Sequence, residues 1–90
     1  MNEKNDCNRY LENIINSFRL GREAQGSAAM VEFIDCLTPK MTKFASDLSQ
    51  DDIAIVNELI SAQSRCDFLY IADILEYILP SSNLVKLVNA

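Results

Sequence analysis

Histidine and tryptophan are absent from this 90-residue chain. Nucleophilic catalysis of the Ser-His-Asp or Cys-His kind needs an imidazole base, so the absence of histidine excludes both mechanisms. The three cysteines, Cys7, Cys36 and Cys66, form no CxxC pair and cannot supply the four ligands of a structural zinc site. We therefore predict no metal and no cofactor. We expect the cysteines to be small core residues in a reducing cytosol.

Glycine and proline number only two each, whereas hydrophobic residues make up 49 % of the chain. This composition is too apolar and too poor in turn residues for a disordered chain. The longest purely apolar run, Phe68 to Ala72, is far too short to cross a membrane. The stretch Met1 to Asp6 is polar and acidic, which argues against a secretory signal. These features predict one small cytoplasmic domain over residues 1–90, with no membrane contact.

Basic residues are scarce after Lys43. Up to that position six basic side chains balance six acidic ones, whereas seven acids follow it against only Arg65 and Lys86. The whole net charge of −5 therefore lies in the C-terminal half. An acidic half repels phosphate, so neither nucleic acid nor an anionic membrane is an expected partner. A basic protein surface is compatible with this charge.

Apolar residues recur at helical spacing along most of the chain, and no segment alternates apolar and polar residues as a strand does. One face of the first helix collects Cys7, Tyr10, Leu11, Ile14, Ile15 and Phe18. After a tail of residues 1–5, the pattern predicts helices over 6–25, 28–48, 51–65 and 68–79 and a short terminal turn over 82–88. Gly26 is expected to end the first helix, with Gly21 inside it.

Two helix boundaries need a separate argument. The apolar face continues in register across Pro39, which favours one helix bent at the proline over two helices. The face shifts by about 110° near Ser64–Asp67, which favours a turn there, with one bent helix over 51–79 as the alternative. The short connections then predict an all-α protein, a small antiparallel four-helix bundle with a kinked second helix and a short C-terminal turn.

The outer face of the fourth predicted helix carries a distinctive set of side chains: Leu69, Tyr70, Asp73, Glu76 and Tyr77. Aromatic rings supply contact area and carboxylates set orientation, so this composition is typical of a partner-binding surface. The alternative is that the tyrosines pack under a loop or the C-terminal tail while the acids only solvate the helix.

These features favour a non-enzymatic protein that acts through protein–protein contact, as an adaptor, a chaperone or a regulator. Apolar area exceeds what one core of this size buries, so the partner can be a second copy, in a homodimer. The small, acidic, all-helical build is similar to that of flagellar and type III export chaperones. This is a resemblance of architecture that involves no shared motif.

The competing interpretation is a small helical enzyme or a binder of anionic metabolites. Helical chorismate mutases resemble this chain in length and class, and they need several basic side chains that converge on a dicarboxylate. The basic residues that could supply them are Arg9, Arg19, Arg22, Lys40 and Lys43, and the site would lie between helices near the last four of these. All five lie on predicted polar faces, which favours the non-enzymatic function.

Overall fold

A computed structural model describes residues 6–90, so the predicted tail of residues 1–5 lies outside the described part. Within residues 6–90, five α-helices follow one another: α1 is Asp6–Arg19, α2 Glu23–Lys43, α3 Gln50–Ser64, α4 Phe68–Asp73 and α5 Leu84–Val88. A 3₁₀ turn, Ala45–Asp47, precedes α3. The end of α4 leads directly into a π-helical segment, Ile74–Ile78, and then a 3₁₀ turn, Leu79–Ser81.

The described residues contain no strand, which confirms the prediction of a small all-α helical bundle. The predicted inner face of α1 is buried at Leu11, Ile14 and Phe18. The Cα radius of gyration, 12.2 Å, is about that expected of a folded chain of this length. Pro39 lies inside α2, while a kink at this residue and an antiparallel order of all the helices stay predictions.

The helices are packed as an incomplete ring. α1 contacts α2 on one side and α4 on the other, and α3 packs against α4. The short helix α5 packs against α2 and against the Leu79–Ser81 turn, where it contributes Leu84 and Leu87 to the core. Few backbone positions of α2 and α3 approach each other, so the ring is wider between these two helices, which meet through side chains such as Ser27 and Gln63.

The first helix ends earlier than predicted, at Arg19, because Gly21 and not Gly26 forms its C-terminal turn. Gly21 has a φ of +73°, the left-handed conformation that glycine adopts without a steric penalty. The Arg22 N–H donates to the Ser17 carbonyl at 2.7 Å and the Gly21 N–H to the Phe18 carbonyl at 3.2 Å, which closes the turn. The predicted end at Gly26 is therefore wrong.

Gly26 instead lies inside α2, where this helix packs against Phe18 of α1. A Cβ atom added at Gly26 would overlap the Phe18 ring. That ring is buried and stacks on Phe68 of α4, with ring centroids 4.7 Å apart and an angle of 26° between the planes. The missing side chain at Gly26 thus leaves room for an aromatic ring that joins three helices.

The cysteines differ from the expectation of three reduced core residues. Cys7 and Cys36 form a disulfide between α1 and α2, with Cα atoms 5.8 Å apart. Cys66 is a free thiol and lies at the surface, in the turn after α3. The disulfide forms because α2 folds back along α1 after the turn at Gly21, and both cysteines are equally far along the chain from that turn.

α3 and α4 are separate helices, so the alternative of one bent helix over 51–79 is wrong. The turn at Arg65–Asp67 contains Cys66 with a φ of 58°, which breaks the helical path. The Asp67 N–H donates to the Ala62 carbonyl at 2.9 Å and closes the turn. The shift of the apolar face near this position therefore reflects a real change of direction.

Asp52 connects the start of α3 to the loop before α5 and is only 2 % exposed. Its carboxylate accepts hydrogen bonds from the backbone N–H of Ser49 at 2.8 Å and from the side-chain amide of Asn83 at 2.9 Å. The Asn83 backbone N–H donates to the same carboxylate at 3.1 Å. Burial alone would raise the pKa of Asp52, but the donors from Ser49 and Asn83 outweigh it and lower the pKa.

The first prediction concerns the disulfide. Replacing Cys7 and Cys36 together by Ala should lower the free energy of unfolding by about 2–4 kcal/mol, because the unfolded chain loses its cross-link. Urea denaturation of the oxidised protein measures the change. Cys66→Ala is the matched control and should change stability by less than about 0.5 kcal/mol. Equal stability of the wild-type protein with and without reductant would contradict a structural role for the bond.

The second prediction concerns Asp52. A lowered native pKa stabilises the fold above the ordinary pKa of 3.8, and this contribution is lost as the pH falls through the native pKa. Asp52→Asn should therefore cost about 1–3 kcal/mol near neutral pH, and the difference from the wild type should shrink below pH 3.8. Asp51→Asn, exposed in the same helical turn, should cost less than about 1 kcal/mol. Urea denaturation across a pH series tests this, and a difference independent of pH would contradict it.

Candidate protein-binding surface

The predicted binding face of α4 is divided between solvent and core. Leu69 and Tyr77 are 60 % and 66 % exposed. Asp73 and Glu76 also face solvent. Tyr70 is half-buried and packs against the core. Four of the five predicted residues therefore lie on the surface. Tyr70 is the exception, because it is partly covered, as the alternative interpretation expected of the tyrosines.

Arg19, at the last position of α1, brings the two carboxylates of this face together. Its Nη2 donates to Asp73 Oδ1 at 2.9 Å and its Nε donates to Glu76 Oε1 at 3.1 Å. One guanidinium thus bridges two acids one turn apart, and it joins the end of α1 to α4. We call Arg19, Leu69, Asp73, Glu76 and Tyr77 the α4 surface.

The electrostatics of the α4 surface fix the charged state of Arg19. The hydrogen bonds from Arg19 to Asp73 and to Glu76 raise the pKa of the guanidinium. The Glu76 carboxylate raises the pKa of the neighbouring Tyr77 hydroxyl, and the positive charge of Arg19 opposes this effect. The surface therefore presents a neutral phenol and, with one cation against two carboxylates, a net charge of −1.

Tyr77 and Leu69 flank the ionic cluster on both sides. The Arg19 guanidinium carbon lies 6.0 Å from the centroid of the Tyr77 ring, within the range of a cation–π contact. Next to Leu69, a shallow depression of about 430 Å³ is bounded by Arg19, Phe68 and Cys66. An apolar group of a partner can enter this depression while its polar groups meet the carboxylates.

Sequence reasoning placed Arg19 on a solvated face of the first helix and missed its role. The ion pairs connect residues 54 and 57 positions apart, so no local spacing reports them. The one sequence feature that could have indicated these ion pairs is a basic residue at the end of a helix in a chain whose C-terminal half has an excess of acids.

The basic residues of the competing interpretation do not converge. Arg22 lies next to the first residue of α2 and Lys40 near its last turn, about 27 Å apart along the helix. Lys40 Nζ donates to the Ala90 carbonyl at 3.0 Å. The Lys43 ammonium lies over the Phe44 ring, 5.4 Å from its centroid, while Arg19 pairs with Asp73 and Glu76.

Among residues 6–90, no group of three cysteine, aspartate or glutamate side chains lies close enough to hold a metal ion. Over the same range no helix combines the length and the apolar character that spanning a membrane requires.

The third prediction tests the network around Arg19. Arg19→Gln should raise the pKa of Tyr77 further, because it removes the positive charge that opposes the influence of Glu76. Ultraviolet titration of the tyrosinate, with Tyr77→Phe to assign the signal, measures the shift. Lys43→Gln removes the same unit charge beside Phe44 and should leave the Tyr77 titration unchanged. An unchanged Tyr77 pKa in Arg19→Gln would contradict the network.

Comparison with protein-family models, with curated proteins and with solved structures finds no match.

Proposed function

We propose that this chain acts without catalysis, by binding a protein partner through the α4 surface. The observation that carries the proposal is the exposure of Leu69 and Tyr77 on either side of the Arg19–Asp73–Glu76 network. Large exposed apolar side chains around fixed polar groups are typical of interface hot spots, where a buried ring supplies most of the binding energy.

The network supports such a role because it orders the surface before binding. Arg19 holds two carboxylates in one position, so less side-chain freedom is lost when a partner covers them. The net charge of −1 leaves an acceptor for one basic group of the partner. The matching partner surface therefore carries an apolar ridge for Leu69 and Tyr77 and a lysine or arginine beside it.

The proposal keeps the expectation of a cytoplasmic protein that can form a homodimer. The Cys7–Cys36 disulfide is the feature that bears against a reducing compartment, because such bonds persist mainly where the surroundings are oxidising. Alkylation of thiols in intact cells, followed by mass spectrometry, distinguishes a location in the reducing cytosol from one in an oxidising compartment. Three alkylated cysteines indicate the reduced chain of a cytosolic protein, and one alkylated cysteine indicates an oxidising compartment.

The fourth prediction tests the α4 surface directly. Leu69→Ala with Tyr77→Ala should weaken capture of partner proteins by at least about tenfold, because it removes both apolar contacts. Stability should change by less than about 1 kcal/mol, because both side chains are mostly exposed. Quantitative affinity capture with wild-type and variant bait measures partner loss, and light scattering measures any dimer.

A matched control is Leu20→Ala, which truncates an apolar residue that is as exposed as Tyr77 but lies in the turn after α1 and outside the α4 surface. It should leave binding through the α4 surface unchanged. If the double variant captures the same proteins at the same level and keeps the same mass in light scattering, the α4 surface is not the binding site.

A further inference from the structure

A second apolar surface lies in the open side of the helical ring, between α2 and α3. One section, of about 300 Å³, is lined by Ser27, Met30, Val31, Ile34, Asp35, Ile60, Gln63 and Ser64. The other, of about 540 Å³, is lined by Thr38, Met41, Thr42, Ala45, Leu48, Ile53 and Val56. We call the two sections together the α2–α3 groove. It shares no residue with the α4 surface.

The walls of the groove carry large apolar side chains that nothing in the described chain covers. Val31 is 60 % exposed on the α2 wall, and Ile60 and Ile53 are 48 % and 46 % exposed on the α3 wall. Beneath them, Met30 and Val56 are buried and form part of the core. The groove is therefore an exposed continuation of the core.

The lining residues follow helical spacing on both walls. On α2 they recur every three or four residues from Ser27 to Thr42, and on α3 from Ile53 to Ser64. The stripe on α3 extends about 16 Å and the stripe on α2 about 22 Å, so the groove runs along the helices for about three turns. A third helix laid into it would bury its apolar residues at positions i, i+3, i+4 and i+7.

Polar groups in the lining indicate the chemistry of the occupant. Gln63 Nε2 donates to Ser27 Oγ at 3.0 Å, while Gln63 Oε1 is buried without a hydrogen-bond partner in the described structure. The Asp35 carboxylate lines the same section, and none of the lining residues of either section is basic. At this end of the groove the Asp35 carboxylate is therefore an exposed negative charge with no basic lining residue beside it, and the Gln63 oxygen lies beneath the surface.

The charge of the chain argues against a second copy as the occupant. The net charge is −5, and the charged side chain that lines the groove, Asp35, is acidic. Two copies that meet at this groove would bring two chains of net negative charge together, which costs electrostatic free energy. A basic partner gains from the same charge.

We propose that the α2–α3 groove binds an amphipathic helix of another protein, with an apolar stripe about three turns long and a lysine or arginine at the end that meets Asp35 and Gln63. The apolar stripe covers Val31, Ile53 and Ile60. The basic group pairs with the exposed Asp35 carboxylate. This surface is additional to the α4 surface and stands or falls independently of it.

The test uses the full chain and fluorescent helical peptides of about 16 residues, stapled to fix the helix. In each peptide, leucines at positions i, i+3, i+4 and i+7 form one apolar stripe along the helix. One peptide carries Lys in its first turn and another carries Lys in its last turn, because the helix could bind in either direction. A matched version of each peptide carries Glu in place of Lys. Fluorescence anisotropy should show binding of one Lys peptide at least about tenfold tighter than that of its matched Glu version.

Variants of the chain assign the binding to the groove. Val31→Gln with Ile60→Gln removes exposed apolar surface while keeping good helix formers, and should weaken binding by at least about tenfold. Asp35→Asn should reduce the preference for Lys over Glu. Leu69→Ala with Tyr77→Ala should leave peptide binding unchanged, so failure of the α4 surface and failure of the groove give different results.

Several outcomes overturn the proposal. Equal affinity of the Lys and Glu peptides rejects the basic helix, and unchanged binding by the Val31→Gln, Ile60→Gln variant rejects the groove as the site. The absence of peptide binding, with a wild-type dimer in light scattering that this variant dissociates, identifies a second copy as the occupant. Amide chemical-shift changes confined to the α4 surface would place the peptide on the other face.

Discussion

The close approach of α1 and α2 is the constraint on which the rest of the structure depends. Gly26 gives the Phe18 ring room at the crossing, and the Cys7–Cys36 disulfide joins the same two helices further along. Phe68 of α4 stacks on the same Phe18 ring. Because Arg19 follows Phe18 directly, the contact that places α4 also directs the guanidinium onto Asp73 and Glu76.

Both candidate surfaces follow from this arrangement. α1 packs against both α2 and α4, and α3 packs against α4. No helix of the described chain closes the ring between α2 and α3, so apolar residues such as Val31 and Ile60 stay exposed there. The α4 surface lies where Arg19 of α1 meets α4 and the π-helical segment that follows it. Which helices pack against each other, more than the composition of the chain, decides which apolar residues are covered.

The sequence allowed the helical class and the inner face of α1 to be predicted, because burial follows a period that can be counted. It could not assign the two glycines. A glycine that ends a helix in the left-handed conformation and one that admits a neighbouring ring look the same until the neighbour is known. The misplaced turn also hid the disulfide. With the turn at Gly21 and Arg22, Cys7 and Cys36 are equally distant from it and lie side by side in a helical hairpin.

The candidate site was predictable to the extent that it is local. The positions of Leu69, Asp73 and Tyr77 on an outer face follow from helical geometry, whereas Arg19 comes from a helix more than 50 residues away. The acids show the same limit. Asp52 and Asp73 have the same side chain, yet Asn83 and Ser49 surround one of them in the interior while Arg19 meets the other in solvent. The role of a carboxylate depends on the hydrogen-bond donors that the fold places around it. Donors that come from distant parts of the chain cannot be predicted from the spacing of residues in the sequence.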